Sequence, residues 1–154
     1  YTLVQSPTLM NTSGPWVSSI WAHLVTENHA QGAHGTRGLA LVVVHDELES
    51  ELGVVKRRDW TSSHRGHNGI KSVNSALKKG QFPGAMFERV GVGIGRPEER
   101  DARNVASYVL GKMSRFQMDV VQEKGAEGVL RCLEELEEKW AVKAAKEAAK
   151  GGGS

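Results

Sequence analysis

One cysteine among 154 residues, Cys132, has nothing to pair with. That excludes an internal disulfide framework and fits a reducing compartment. Net charge is also scarce: 20 Lys+Arg against 18 Asp+Glu leave +2. No global basic field draws a polyanion, so any nucleic-acid site has to be a local patch. Long apolar runs are missing. The longest, Leu39 to Val44, is six residues, far short of the ~20 that span a bilayer as a helix. There is no signal-peptide pattern, and the first residue is Tyr1 rather than Met, as in a processed form or a fragment. Glycine is in excess, 18 of 154 against a usual ~7%, which suits tight turns and close backbone approaches. The length fits one domain that buries its own core without a metal or disulfide staple.

The periodicities alternate between strand and helix. Tyr1 to Val4 reads as a short strand, punctuated by Pro7 and by Asn11 to Gly14. Thr12 or Ser13 caps a helix with Pro15 in its first turn and Val17, Ile20, Trp21 and Leu24 as its apolar stripe. Residues 27–38 read as a loop. Leu39 to Val44 is a continuous apolar run, the pattern of a strand buried on both faces. Gly53 to Arg58 is a more polar strand nearer an edge. A loop through Ser62, Ser63, His64 and Gly66 leads to a helix opened by Asn68, with Ile70, Val73, Ala76 and Leu77 as inner face. Arg89 to Gly95 is a third strand with glycine at every second position, so one face is bare and open to close approach. A short helix follows from Arg103, with Gly111 as its C′ residue. A long helix runs from Ser114, with a break at Gly125 or Gly128 and Val129, Leu133, Leu136 and Trp140 on one face. This order makes the chain α/β.

Three clusters can carry chemistry, and two further patterns are rejected. Asp46, in His45-Asp46-Glu47 at the end of the apolar run, can hold an imidazole N–H and fix its tautomer; alternatively it starts a turn. Gly66-His67-Asn68-Gly69 sets two hydrogen-bonding side chains at a helix start, with Asn68 as a plain N-cap the plainer reading. Lys56 and Arg58 share a strand face and make either a phosphate-binding patch or a charged, protected edge. His45, His64, His67 and Asp46 match no metal-ligand spacing, so no metal is expected. Gly91 to Gly95 is GxGxG followed by Arg96-Pro97, which excludes a dinucleotide fingerprint.

Thr8-Leu9-Met10-Asn11-Thr12-Ser13-Gly14, Val43-Val44-His45-Asp46-Glu47-Leu48, Gly66-His67-Asn68-Gly69-Ile70-Lys71-Ser72, Val92-Gly93-Ile94-Gly95-Arg96-Pro97 and Tyr108-Val109-Leu110-Gly111 resemble, in this order, the motifs of the bacterial-type peptidyl-tRNA hydrolases. Ser63-His64-Arg65-Gly66 is similar to the loop of eukaryotic, fungal-type members. The resemblance implies a three-layer α/β/α domain with a mixed central sheet over 1–142, lacking its N-terminal strands and helix. Residues 143–154 would form an Ala/Lys-rich helical extension and a flexible Gly/Ser tail. It implies hydrolysis of the ester between a peptide and the terminal ribose of tRNA, without cofactor or metal, by a histidine acting as general base on water. Asp46 is then the residue that orients the base. Asn11 binds the substrate carbonyl region or the water, and Asn68 anchors the substrate backbone with His67 and Gly66 beside it. Leu9 and Met10 line the channel for peptide and terminal adenosine. Arg58 clamps the tRNA 5′-phosphate.

Two departures from that pattern stand out. A second basic clamp position of the family falls at Gly91, so Arg89 or Arg96 would have to substitute. The family's N-terminal strand, Gly-Asn-Pro-Gly loop and His-bearing segment have no counterpart, and the histidines at 23, 29, 34, 45, 64 and 67 all stand in other motif contexts. The 154-residue chain alone is therefore expected to be inactive. It is also expected to be marginally stable, or to bind a second copy or a ribosomal particle over the gap, in the cytoplasm or mitochondrial matrix and away from membranes. The alternative is a non-catalytic RNA-binding or ribosome-associated relative resembling a splicing factor.

Overall fold

The computed structural model describes residues 1–30, 38–99 and 101–151. A 3-10 turn at Met10–Thr12 leads into α1 (Ser13–Ala30). Then follow β1 (Ala40–Glu47), β2 (Val55–Asp59), α2 (Asn68–Ala76), a second 3-10 turn (Lys79–Gln81), β3 (Met86–Gly93), α3 (Ala102–Leu110), α4 (Arg115–Val120), a π-helical turn (Val121–Gly125) and α5 (Ala126–Gly151). The strand order is β1-β3-β2. β1 and β3 are parallel: Met86 N–H donates to Leu39 O and Ile94 N–H to Glu47 O, so the two numberings rise together. β2 is antiparallel to β3, because Gly53 N–H donates to Gly93 O and Gly93 N–H to Val54 O, which sets the start of one against the end of the other. The fold is α/β with a mixed sheet.

Backbone contacts divide the chain into two compact units, Tyr1–Leu41 with Asp59–Phe87 and Val42–Arg58 with Glu88–Ser154. In the first, α1 packs on α2. Ile70, Val73 and Leu77 repeat at helical spacing and are almost free of solvent contact, as their periodicity predicts. Trp21 of α1 meets Phe82 and Phe87 edge-on, at centroid distances of 5.8 and 4.9 Å. Trp60 lies 5.0 Å from Phe87 and donates its indole N–H to Leu77 O at 3.2 Å. That bond lets a polar ring be buried without an orphaned donor.

In the second unit Val90, Cys132 and Leu136 form the core, with Val42, Val55, Val129 and Trp140 packed around them. Three of the four stripe residues read from the sequence, Val129, Leu136 and Trp140, thus lie in this cluster, joined by Cys132, while Leu133 is half-buried outside it. Burial pushes the Cys132 thiol up from its ordinary pKa, which keeps it protonated and unreactive. Ser114 caps α4 in a reciprocal box with Gln117. The helix break expected at Gly125 or Gly128 is a π turn ending at Gly125.

Four expectations need correction. The apolar run of β1 is not a strand buried on both faces: among the described residues β1 borders β3 alone, and Val44 is 49% exposed. β3 takes the central place, since an apolar run does not specify strand order. Residues 1–4 form no strand, and Tyr1 and Leu3 are 76% and 88% exposed. Local β propensity makes a strand only where a neighbour supplies the ladder. Residues 27–30 belong to α1, and the rest of the expected loop, 31–37, lies outside the described residues, as do 152–154 of the expected tail. Gly111 caps α3 in an extended conformation, φ −75° and ψ 166°, not in the left-handed one of a C′ glycine.

Candidate functional site

In the first unit two of the sequence motifs meet through their backbones. Gly14, in the first turn of α1, donates its N–H to Ser72 Oγ at 2.9 Å. A Cβ at Gly14 would overlap the carbonyl oxygen of Ser72 and come within 2.6 Å of its carbonyl carbon. Gly69, in the first turn of α2, faces Met10: a Cβ there would lie 2.5 Å from Met10 Cγ and 3.1 Å from Met10 O. Two glycines therefore let segment 8–14 lie directly on the N-terminal turns of α2. The contact carries Asn11, in the 3-10 turn, and Asn68, the first residue of α2, on neighbouring segments with both side chains exposed.

The frame around these amides is held by local hydrogen bonds. Leu9 O accepts from Thr12 N–H at 2.9 Å, from Thr12 Oγ1 at 3.0 Å and from Ser13 Oγ at 3.4 Å. Its side chain is 78% exposed. Leu9 thus offers an apolar group on a pinned backbone, while Met10 is half-buried against Gly69. The cap of α2 is His67, not Asn68. His67 Nδ1 accepts from Ile70 N–H at 3.2 Å, which places the ring proton of the neutral imidazole on Nε2. Asn68 is thereby released from capping, a position its residue type alone did not reveal. The preceding loop is closed on itself: His64 O accepts from His67 N–H at 2.8 Å, His64 Nδ1 from Gly66 N–H at 3.2 Å and Ser63 Oγ from Arg65 N–H at 3.2 Å. It holds Arg65 and Gly66 at φ 46° and 83°, and the first of these is strained for a residue with a Cβ.

In the second unit His45, Asp46 and Glu47 are the last three residues of β1 rather than the residues after it. His45 Nδ1 donates to the Asp46 main-chain carbonyl at 2.6 Å, so this neighbouring ring engages the Asp46 backbone. Asp46 is half-buried. Arg58, on edge strand β2, is held by Glu47: Arg58 Nε lies 3.1 Å from Glu47 Oε2. Arg57, one residue away and so on the opposite face, pairs with Glu135 of α5 at 3.3 Å. This alternation places Lys56 and Arg58 on one face, as expected. Glu47 was no candidate on sequence grounds, and a carboxylate next to a basic strand was its only signal.

The bare face of β3 is filled by protein. A Cβ at Gly91 would lie 3.0 Å from Glu47 Cβ, and one at Gly93 would lie 2.9 Å from Val54 O. Neither suggested replacement for the basic residue at Gly91 is a free cation. Arg89 is 2% exposed, buried in β3, and Arg96 is ion-paired with Glu49. Among the described residues no three His, Cys, Asp or Glu side chains converge to hold a metal ion, and no helix is long and apolar enough to cross a membrane.

The comparisons with known proteins agree with the motif order. The family model for peptidyl-tRNA hydrolase matches residues 1–151. A probable peptidyl-tRNA hydrolase of Schizosaccharomyces pombe is 40% identical over 121 residues, 79% of this chain and 54% of the relative. A peptidyl-tRNA hydrolase of Clostridium botulinum is 36% identical over 98 residues, 64% of this chain and 47% of the relative. The crystal structure of peptidyl-tRNA hydrolase from Acinetobacter baumannii superposes with a TM-score of 0.50 at 26% identity, covering 75% of this chain and 49% of that one. The chain spans about half the length of these relatives. With a family match over nearly its whole length and the motifs built into one mixed α/β sheet and its helices, this chain belongs to the peptidyl-tRNA hydrolase family.

Proposed function

We propose that the protein acts in hydrolysis of the ester between a peptide and the terminal ribose of tRNA. The observation that carries this reading is the close contact of segment 8–14 with the start of α2, which sets Asn11 and Asn68 on neighbouring segments with exposed amides. Each amide supplies donors and an acceptor. Amide donors that reach the carbonyl oxygen stabilise the oxyanion that forms when water adds to the ester carbonyl. Leu9 and Met10 offer apolar surface beside them for the peptide and the terminal base. Asp46 orients the imidazole that takes the proton of the attacking water.

The general base is assigned to none of the six histidines of this chain. His23 pairs with Glu27 on the exposed side of α1, at 3.3 Å. His64 and His67 accept backbone N–H groups at Nδ1, so each neutral ring carries its proton on Nε2 and has no lone pair for a water, while His45 donates from Nδ1 to the Asp46 carbonyl. His29 lies near the exposed end of α1, and His34 lies outside the described residues. All six also stand outside the motif context of the family's catalytic histidine, so turnover of peptidyl-tRNA by the 154-residue chain alone is expected to be absent, and full turnover would overturn this assignment. In a longer version that supplies the family's His-bearing segment, Asn11→Ala and Asn68→Ala should each lower kcat/KM by about 100-fold, as loss of an oxyanion donor does. Wild-type rates in both variants would sink the proposed site.

A further inference from the structure

Glu47 has no part in the chemistry just proposed, yet it is the buried charge at the end of β1. It is 8% exposed, and its Oε2 meets Arg58 Nε at 3.1 Å. Its Oε1 accepts only a long bond from Glu49 N–H, at 3.4 Å. A buried carboxylate has to be paired to stay ionised at low cost, so Glu47 and Arg58 hold each other. Space for this carboxylate comes from β3: Gly91 carries no side chain, and a Cβ there would come within 3.0 Å of Glu47 Cβ and 3.4 Å of its Oε2.

The bond is made at Nε alone. A guanidinium presents five N–H groups in a rigid plane, and the two terminal nitrogens form a second edge suited to a phosphate. Among the described residues those two nitrogens of Arg58 have no hydrogen-bond or ion-pair partner. We infer that Glu47 is a positioning residue: it holds Arg58 by Nε beside the bare position of Gly91 in β3 and keeps the terminal edge available to one phosphate of the RNA substrate. A free arginine on an exposed edge strand would have to give up side-chain rotamer freedom on binding, and the Glu47 contact removes that cost beforehand. The inference rests on the proposed hydrolase reading and on the tRNA 5′-phosphate contact that the family resemblance implies for Arg58.

The test is binding of deacylated tRNA to the 154-residue chain, with and without the 5′-phosphate, read as the ratio of the two dissociation constants. Arg58→Ala should cut that ratio by about tenfold, the scale of a charge-assisted phosphate contact. Glu47→Ala and Glu47→Asp, which is one methylene too short to reach Nε, should cut it by about threefold to fivefold. Glu47→Gln keeps an acceptor for Nε and should stay within about twofold of wild type. In an Arg58→Ala background Glu47→Ala should change the ratio no further, an outcome a merely structural role would not produce. If Glu47→Ala does not fold, the Asp and Gln variants decide. Loss of the ratio in Arg58→Ala but not in Glu47→Ala or Glu47→Asp overturns the positioning role and leaves the hydrolase reading intact. Equal loss in Glu47→Gln and Glu47→Ala also overturns it, since charge rather than geometry would then matter. A ratio unchanged by Arg58→Ala removes the phosphate contact itself.

Discussion

Asn11 and Asn68 are carried by backbone lying on backbone, whereas Arg58 is carried by another side chain. In the first case two glycines, Gly14 and Gly69, let a helix start and a 3-10 turn touch without intervening atoms. In the second, an ion pair spans β1 and β2 beside the bare position of Gly91. Backbone contact tolerates almost no added volume, because neither partner can rotate away. A side-chain pair yields, because χ angles absorb small displacements. The amide-bearing contact should therefore be brittle and the arginine contact tunable.

The sharpest way to break this contrast is Gly14→Ala. Its Cβ would meet the Ser72 backbone, so a loss of about 3 kcal/mol is expected, read as a lower urea midpoint at unchanged slope. A loss below about 0.5 kcal/mol would mean that the two segments are free to part. Gly91→Ala is the matched change in the second region. The nearest atom is a side-chain carbon of Glu47, 3.0 Å away, which can shift by a few tenths of an ångström. A cost of about 1 kcal/mol or less is expected. Costs as large as that of Gly14→Ala would show that the Glu47 side chain is as unyielding as backbone.

The smallest effect should come from a control outside both regions. Asp101 caps α3, and the backbone N–H of Asn104, followed by the Asn104 side chain, holds its carboxyl below the ordinary value of 3.8. A depressed carboxyl pKa adds stability that is fully present above pH 3.8 and is lost as pH falls through the lower folded value. Asp101→Ala should thus be slightly less stable than wild type at neutral pH, and the gap should close in acid. A gap that widens in acid would contradict the cap. Because Asp101 is exposed, the effect should also fade with salt.

Much of the fold could be read from spacing. Ile70, Val73 and Leu77 lie inward because helical period selects a face whatever the partner is. The alternating glycines of β3 announced a bare face, and Glu47 and Val54 occupy it. The family was legible in five ordered motifs. Other features were not. Leu39 to Val44 looked like a strand buried on both faces, yet Val44 is 49% exposed and β3 lies between β1 and β2. Asn68 looked like the cap of α2, yet the His67 ring accepts the Ile70 N–H. Arg89 looked available to RNA and is buried, and Arg96 is held by Glu49. Each of these depends on a neighbour distant in sequence or on a rotamer, and neither leaves a periodic trace.

The sequence by itself determined where the main helices lie, which faces turn inward, where glycine permits close approach and which family the chain belongs to. These follow from local backbone sterics and from side-chain period, both properties of short stretches. Only the tertiary structure decided that segment 8–14 rests on the start of α2, that β3 is the central strand and that Glu47 holds Arg58. The Glu47–Arg58 and Gly14–Ser72 contacts join residues 11 and 58 positions apart, and their existence depends on how much side-chain volume each partner leaves free.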